Sequence, residues 1–271
     1  MTTWTINGAG GPTGVAVYET EFLDGEMSPF DGAVLNCDAG AGVVYAHMPR
    51  RRASEITLET TVFLGRSSTS GREQSDGQGT WFRPSDVVVS TDGSVMVADW
   101  YDPGVGGHGM GDRETYGRIL RVAPKGAGTA PVKLTYRDAT AEEIAADERL
   151  SRPESPLLNA LCSPAVSVRD RARKELLARG DDAFEALHDL AGDPSPRIAA
   201  RAVEVLARLS DRGRDFVDQV TRHPIAELRL VAYRALADVG DERAPLLRRR
   251  LARDVSPLVR AAIARSIGTS P

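Results

Sequence analysis

A glycine-rich segment near the middle of the chain carries the side chains best suited to chemistry. Within residues 99–112 it places three carboxylates and one imidazole, those of Asp99, Asp102, Asp112 and His108. Ca²⁺ takes six to eight oxygen ligands at about 2.3–2.6 Å, so we expect the three aspartates to be able to close on a calcium ion. His108 suits a transition metal or a substrate contact better. The alternative is that the aspartates accept backbone N–H bonds in tight turns.

A second polar pair, Arg83 and Asp86, flanks Pro84 at the start of a predicted strand. Together with His108, these two side chains are our candidates for orienting a polar substrate or the carboxylate of a cofactor. The alternative is an ion pair within the sheet that involves Arg118 or Arg121. No catalytic residue is predicted, because the chain has neither a G-x-S-x-G sequence nor a glycine-rich phosphate loop before a helix.

Short strands must position these side chains. Runs rich in Val, Tyr and Phe, bounded by Gly, Asp, Pro or Ser, predict strands at 14–19, 32–36, 42–46, 57–64, 86–90, 94–98 and 117–122. Asp92-Gly93 predicts a hairpin with a two-residue turn, because Asp-Gly tolerates the positive φ that such a turn demands. Strand, Asp-Gly turn, strand, loop and strand is the order typical of one propeller blade. We therefore predict an all-β partial β-propeller of about two to three blades over residues 1–125.

Residues 151–271 repeat with a period of about 30. Pro164, Pro194 and Pro224 are spaced by 30, and each precedes a helical pattern. Three apolar columns recur in step, namely Val168, Ile198, Leu228, Val259; Ala172, Ala202, Ala232, Ile263; and Leu176, Leu206, Leu236, Ile267. The spacing of four within a unit matches one helix face, and a second helix per unit keeps the register through Leu187, Val217 and Leu247. This pattern resembles short HEAT repeats and predicts an all-α, HEAT-like solenoid.

The fourth unit contributes a first helix alone. We expect its apolar side, formed by Val259, Ile263 and Ile267, to lack a covering helix, so that the array either frays there or continues. An arginine group in the last two units predicts contact with a phosphate or an acidic partner, or else a solvated face whose stems cover apolar surface; it comprises Arg248, Arg249, Arg250, Arg253 and Arg260. No aromatic residues interleave with these arginines, so no nucleic-acid binding is predicted. The expected partner of the repeats is a protein.

The charge balance separates the two halves. The formal net charge of −4 divides into −8 for residues 1–150 and +4 for residues 151–271. Residues 126–150, glycine-rich and then acidic, are predicted to be the linker. Cys37 and Cys162 are too few and too far apart for a zinc motif, and we expect two buried thiols, with one disulfide as the alternative. No apolar run approaches the roughly 18–20 residues of a membrane span.

Four motifs in order carry a resemblance to a known family. They are NCDAG at 36–40, WFRPSD at 81–86, ADWYDPGVGGH at 98–108 and GRILRVAP at 117–124. The set resembles the C-terminal blades of the PVC-type membrane-bound dehydrogenases, which combine a sorbosone- and glucose-dehydrogenase-like propeller with HEAT repeats. The resemblance implies a periplasmic or extracellular location, a quinone cofactor with Ca²⁺ and, in many members, a haem module.

The chain departs from that family in two respects. A closed propeller of about six blades needs on the order of 250 residues, whereas about half that length precedes the repeats, and no C-x-x-C-H haem site occurs. We therefore expect the C-terminal part of a longer protein or a shortened paralogue, with missing blades as possible partners. The predicted function is a non-catalytic binding or scaffold module. The alternative is a part of a quinone-dependent sugar or alcohol oxidoreductase.

Overall fold

A computed structural model describes residues 12–19, 27–53, 55–65, 82–100, 117–125 and 155–267. The chain separates into two compact units, one formed mainly by strands and the other by helices. The predicted linker, residues 126–150, lies outside the described residues, so the predicted domain boundaries stay a prediction.

The N-terminal unit holds two antiparallel sheets. Seven strands are present in the described residues: β1 Pro12–Val17, β2 Val34–Asp38, β3 Val43–Arg52, β4 Glu55–Gly65, β5 Pro84–Val89, β6 Val95–Asp99 and β7 Arg118–Val122. The first sheet has the order β1-β2-β3-β4 and the second the order β5-β6-β7. Each strand overlaps a predicted one, because β-branched runs between turn residues favour extended structure.

Alternation along the strands directs apolar side chains into one core. In β6 every second residue is buried, and β5 shows the same alternation from Val87 to Val89, after the register shift between Pro84 and Asp86, as expected for a pleated strand with one covered face. The core combines both sheets and includes Leu35, Cys37, Val44, Ala46, Val87, Val95 and Val97. A short 3₁₀ turn at Ser28–Phe30 adds Phe30 to its margin.

The β5–β6 hairpin confirms the predicted strand pairing but not the predicted turn length. Val89 pairs with Val95, and the amide of Ser90 donates to the carbonyl of Ser94 at 2.8 Å. The loop therefore has three residues, with the Gly93 amide donating to the Ser90 carbonyl at 3.0 Å and Gly93 at φ 78°. A type I turn followed by a left-handed glycine has this geometry, and a two-residue turn does not.

The two sheets approach closely where β1 meets β5. Thr13 Oγ1 donates to the carbonyl of Pro84 at 3.1 Å. A Cβ atom on Gly14 would lie 2.4 Å from Asp86 Cα, so no larger residue fits there without moving a strand. The first strands of the two sheets are thus neighbours at the start of the core.

Residues 155–267 of the C-terminal unit fold into helices joined by short loops. Its helices are α1 Pro156–Cys162, α2 Val166–Arg179, α3 Phe184–Ala191, α4 Pro196–Leu209, α5 Asp211–Val220, α6 Ala226–Asp238, α7 Ala244–Leu251 and α8 Pro257–Ile267, with a 3₁₀ turn at Gly180–Ala183. Predicted turn residues act as helix caps: Ser210 Oγ accepts from the Gly213 amide at 3.2 Å, and Gly240 has φ 70°.

The apolar columns form one continuous core across the repeats, as predicted. Ala172, Ala202 and Ala232 are each 0% exposed. Ile198 departs slightly, since it is half-buried at the edge of the core. The prediction for the fourth unit is wrong: Val259 and Ile263 are both 0% exposed, because α8 packs its apolar side onto the preceding α6 and α7. The Ile267 side chain lies outside the described residues.

Replacing Ala232 with leucine is expected to destabilise the helical unit by about 1–3 kcal/mol through overpacking. Ala232 has no exposed surface, so the added carbons must displace a neighbouring helix. Thermal melting followed by far-UV circular dichroism measures the change, with Ala264→Leu as the control because Ala264 is exposed. Equal midpoints for wild type and Ala232→Leu would contradict the column register.

Candidate functional site

Asp99 joins the three strands of the second sheet at the end where the predicted site begins. It is 4% exposed. Its Oδ1 accepts from the backbone amide of Arg83 at 2.6 Å, and its Oδ2 accepts from Nε of Arg118 at 2.7 Å. The buried carboxylate is therefore neutralised by a guanidinium and bonded to the chain just before β5, which stabilises this corner of the sheet.

Asp92 lies at the opposite end of the same sheet and forms a similar set of contacts. Its Oδ1 accepts from the amide and hydroxyl of Ser94 at 3.0 and 2.6 Å, and its Oδ2 accepts from Arg121 Nη2 at 2.8 Å. Burial alone would raise the pKa of this carboxyl, but the hydrogen bonds from Ser94 and Arg121 outweigh it and lower the pKa below its ordinary value. Arg118 and Arg121 thus form their described ion pairs with Asp99 and Asp92. The predicted alternative would pair Asp86 with Arg118 or Arg121. The structure instead pairs these arginines with Asp99 and Asp92.

Asp86 lies beside the described part of the candidate site. It pairs in register with Ala98, next to Asp99, and its Oδ1 accepts the amide of Val87 at 2.8 Å. Burial and, secondarily, the charge of Asp86 raise the pKa of the Cys37 thiol to about 12. Cys37 is therefore protonated at neutral pH and is not a nucleophile. Both cysteines are thiols, as predicted, although Cys162 is half-buried rather than fully buried.

The remaining candidates, Asp102, His108 and Asp112, lie outside the described residues, so the predicted calcium site stays a prediction. Of the six candidate residues, the structure describes three and brings Arg83 and Asp99 into direct contact through the backbone amide. Elsewhere in the described ranges, no group of three or more His, Cys, Asp or Glu side chains is arranged to hold a metal ion.

If the 99–112 segment binds Ca²⁺, adding Ca²⁺ should stabilise the protein by roughly 2.7 kcal/mol at a hundred times the dissociation constant. Asp99→Asn should abolish this rise in melting midpoint, and it should also lower the metal-free midpoint because Arg118 loses its charged partner. Asp92→Asn is the matched control, since Asp92 is equally buried and arginine-paired but lies at the other end of the sheet. A Ca²⁺ effect that survives Asp99→Asn contradicts the site.

In the helical unit, polar contacts cross each described repeat boundary. Arg212 donates to Glu185 at 2.5 Å and Arg243 donates to Asp215 at 2.6 Å. Arg229 and Asp254 form a buried pair, with side chains that are 10% and 7% exposed. Arg229 Nε and Nη2 donate to the two carboxylate oxygens at 2.8 and 2.6 Å, the bidentate geometry that makes such pairs strong.

The loops before the first helices hold a recurring set of polar contacts that the sequence analysis did not predict. Arg169, Arg229 and Arg260 each donate from Nη1 to two successive carbonyls of the loop before their own helix, at 2.6–3.0 Å. In these three loops and in the equivalent loop before α4, a side chain accepts an amide two residues on, at Ser163, Asp193, His223 and Asp254. These acceptor positions recur with steps of 30, 30 and 31, so aligning polar as well as apolar columns would have found them.

The arginines of the predicted group differ in their contacts and in their exposure. Arg260 is held by the loop carbonyls of Asp254 and Val255, and Arg250 donates to Thr221 Oγ1. Arg248 is half-buried. Arg249 and Arg253 are exposed, and within the described ranges neither forms an ion pair. The group is therefore partly structural and partly an open positive surface.

An open cavity of about 580 Å³ lies at the turn between α6 and α7. Its charged lining is largely paired internally: Asp241 accepts from Arg243 Nε and Nη2 at 2.8 and 2.7 Å, and these bonds are the main cause that lowers the Asp241 pKa. The arrangement fits a structural cluster between the second and third repeats better than a ligand site.

The histidines outside the glycine-rich segment have structural surroundings, in line with the sequence interpretation. His47 Nδ1 bonds Thr60 Oγ1 at 2.9 Å, and His223 Nδ1 accepts the amide of Ile225 at 3.1 Å. His188 packs edge-on to the Phe216 ring, with centroids 4.6 Å apart. None of these contacts points to a ligand role.

Comparison with known proteins bears on the helical unit. Residues 184–268 match the family model of HEAT repeats. No curated protein matches the chain. In the part of the chain that the structure describes, no helix combines the length and apolar character needed to cross a bilayer. The helical unit is thus similar to HEAT repeats over residues 184–268, and a sheet-rich region precedes it.

Proposed function

We propose that this chain is a non-catalytic scaffold in which propeller-like blades and a HEAT array hold a protein partner. The observation that carries the proposal is the helical array itself, with one continuous core and a match to HEAT repeats. Stacked helix pairs present a long surface made of many exposed side chains, which suits protein binding better than catalysis. A fold by itself does not establish an enzymatic activity, so we propose binding rather than catalysis.

Two features support the finer proposal that the sheets are propeller blades. Each sheet is an antiparallel meander in chain order, as in a blade. The first strands, β1 and β5, lie side by side, with Thr13 bonded to Pro84 and Gly14 against Asp86. In a propeller the first strands of successive blades line a common channel, so this neighbour relation is the one a pair of blades would have.

The outward faces of the sheets support the same proposal. On the first sheet Val15, Val17, Leu58 and Val62 are 55–59% exposed, and on the second sheet Val88 and Ile119 are 55% and 64% exposed. Val88 lies between the buried Val87 and Val89, and neither β4 nor β7 contains a buried residue, so apolar side chains are left uncovered on both sheets. We propose that further blades, from this protein or a partner, cover them.

The test combines partner mapping with an activity assay. A photo-reactive amino acid is placed at exposed Glu185 or Gln219 of the second helices, or at exposed Lys174 or Glu204 of the first helices, and cross-linking is done in the source cells. We expect the same partner proteins to be captured repeatedly from one set of positions and not the other. Capture of no protein from either set would contradict the scaffold function.

The quinone-dependent oxidoreductase is the alternative, and it rests on the family resemblance alone. The purified chain is assayed for dye reduction with sugars and alcohols, with and without added Ca²⁺ and quinone. The scaffold proposal expects no turnover above the protein-free rate. Turnover that requires Ca²⁺ and quinone would replace it with the oxidoreductase.

The domain boundaries are part of the proposal. We expect limited proteolysis to cut first between residues 125 and 150, where glycines and then acidic residues follow β7 in the sequence. The 151–271 fragment should remain helical by circular dichroism, because its core is continuous within itself. A first cut inside a repeat helix would contradict a linker at 126–150.

A further inference from the structure

A positive strip runs along α7 and the loop that follows it. We define the α7 strip as Leu246, Arg249, Arg250 and Arg253, with Val255 at its end and Arg222 at its side. Leu246, Arg249 and Arg250 are spaced by three and one, which places them on one face of α7, and Arg253 follows in the turn after the helix. That face is opposite the buried Leu247 and Leu251.

The acidic groups near the strip are already engaged. Asp254 is bound to Arg229 through both oxygens and caps the Ser256 amide at 2.7 Å. Asp218 pairs with Arg222 at 3.0 Å. Arg249 and Arg253 are exposed, and no ion pair neutralises either of them among the described residues. The strip therefore keeps an uncompensated positive charge, although the whole chain is −4.

One of its arginines is fixed in place. Arg250 Nη2 donates to Thr221 Oγ1, and Thr221 is 1% exposed. Burial and, secondarily, repulsion from Arg222 lower the Arg250 pKa, while the charges of Asp218 and Asp254 act in the opposite direction. An anionic group placed among them would relieve that repulsion and meet a guanidinium that is already oriented.

Apolar side chains bound the strip at both ends. Leu246 is 70% exposed and Val255 is 89% exposed. These two exposed side chains add apolar contact area that a small anion would not use. The combination matches a chain that carries both carboxylates and apolar side chains.

We propose that the α7 strip docks an acidic peptide segment of a partner protein, its carboxylates on the arginines and its apolar side chains on Leu246 and Val255. The inference rests on the proposed scaffold function and names the partner chemistry for the HEAT array. A peptide is favoured over nucleic acid, because the positive strip is short, the chain is acidic overall, and no exposed aromatic ring lies in the strip to stack on bases.

The experiment measures binding of a short fluorescein-labelled peptide, in which glutamates alternate with leucines, by fluorescence anisotropy on the full chain. We expect saturable binding that weakens with added salt. The double variant Arg249→Glu/Arg253→Glu should weaken binding by about tenfold or more. Leu246→Ala should weaken it less, while leaving the salt dependence unchanged.

The matched control is Arg171→Glu/Arg234→Glu, which changes net charge equally at exposed arginines of the first helices and should leave binding unchanged. Circular dichroism confirms that each variant is folded. Equal loss in both double variants, absence of saturable binding, or tighter binding of a DNA oligonucleotide of equal charge overturns the proposal. If cross-linking finds partners elsewhere on the helical unit, the scaffold function stands and the α7 strip is only a solvated face.

Discussion

Replacing Arg229 with alanine is expected to lower the free energy of unfolding of the helical unit by about 3–5 kcal/mol, because the Asp254 carboxylate is left buried without its partner. The guanidinium also satisfies the carbonyls of His223 and Pro224 at 2.7 and 2.9 Å. Chemical denaturation at neutral pH measures the loss. The double variant Arg229→Ala/Asp254→Asn should recover part of it, since the stranded charge is removed.

Arg222→Ala is the matched control for this prediction. Arg222 pairs with Asp218 at 3.0 Å, but its side chain is 60% exposed, and exposed pairs contribute about 0–1 kcal/mol. If both alanine variants lose the same small amount, the Arg229–Asp254 pair is not the link between the third and fourth repeats that its geometry indicates.

The same pair predicts a pH dependence. Hydrogen bonds from Arg229 are the main cause that lowers the pKa of Asp254 below 3.8. Since this carboxyl holds its proton less tightly when folded, stability is fully present above the unfolded pKa and is lost as the pH falls through the folded pKa. The stability difference between wild type and Arg229→Ala should therefore shrink below about pH 4. A difference that stays constant down to pH 2 would contradict the assignment.

Gly213→Ala is expected to destabilise the helical unit by about 3 kcal/mol, against the usual rule. Alanine in a helix interior normally stabilises by about 1 kcal/mol relative to glycine. At position 213, however, a Cβ atom would lie 2.1 Å from the Leu206 carbonyl oxygen, so α5 would have to move away from α4. The sign of the measured change decides between the two effects.

Gly192→Ala is the control for Gly213→Ala. Its Cβ atom would lie 3.3 Å from the Asp189 carbonyl oxygen, and its φ of −87° is ordinary for any residue. We expect a change within about 0.5 kcal/mol. Stabilisation in Gly213→Ala would show that α4 and α5 can separate at little cost.

The repeat architecture was predictable because the positions buried in each repeat must be apolar, and they therefore recur in the sequence with the period of the repeat. Leu176, Leu206 and Leu236 occupy equivalent positions, and each must be an apolar residue to fill the same groove. The strands were predictable for a similar reason, since β-branched residues alternate between turn residues. The three-residue loop at Gly93 was not, because Asp-Gly is compatible with both loop lengths, and the register that decides between them is a property of the paired strands.

The contacts that hold the candidate sites were harder to predict. The neighbours of Asp99 in sequence indicate a metal ligand, whereas its observed partners are the Arg83 amide, just before β5, and the Arg118 side chain on β7. Gly14 and Gly213 have no sequence feature that distinguishes a close approach from a flexible position. Such features depend on which backbone passes nearby, and that information becomes available when the elements are assembled.

The pairs Arg212–Glu185 and Arg243–Asp215 have a consequence for how the array unfolds. Their acidic members are 30 residues apart, so both described boundaries between second helices, α3 with α5 and α5 with α7, carry an equivalent ion pair. Coupling between neighbouring repeats makes a partly unfolded array costly, because every broken boundary loses its buried apolar contact, to which the exposed ion pair adds about 0–1 kcal/mol. Amide hydrogen exchange should therefore give similar opening free energies for the buried amides of α4 and α6, as a single cooperative unit would.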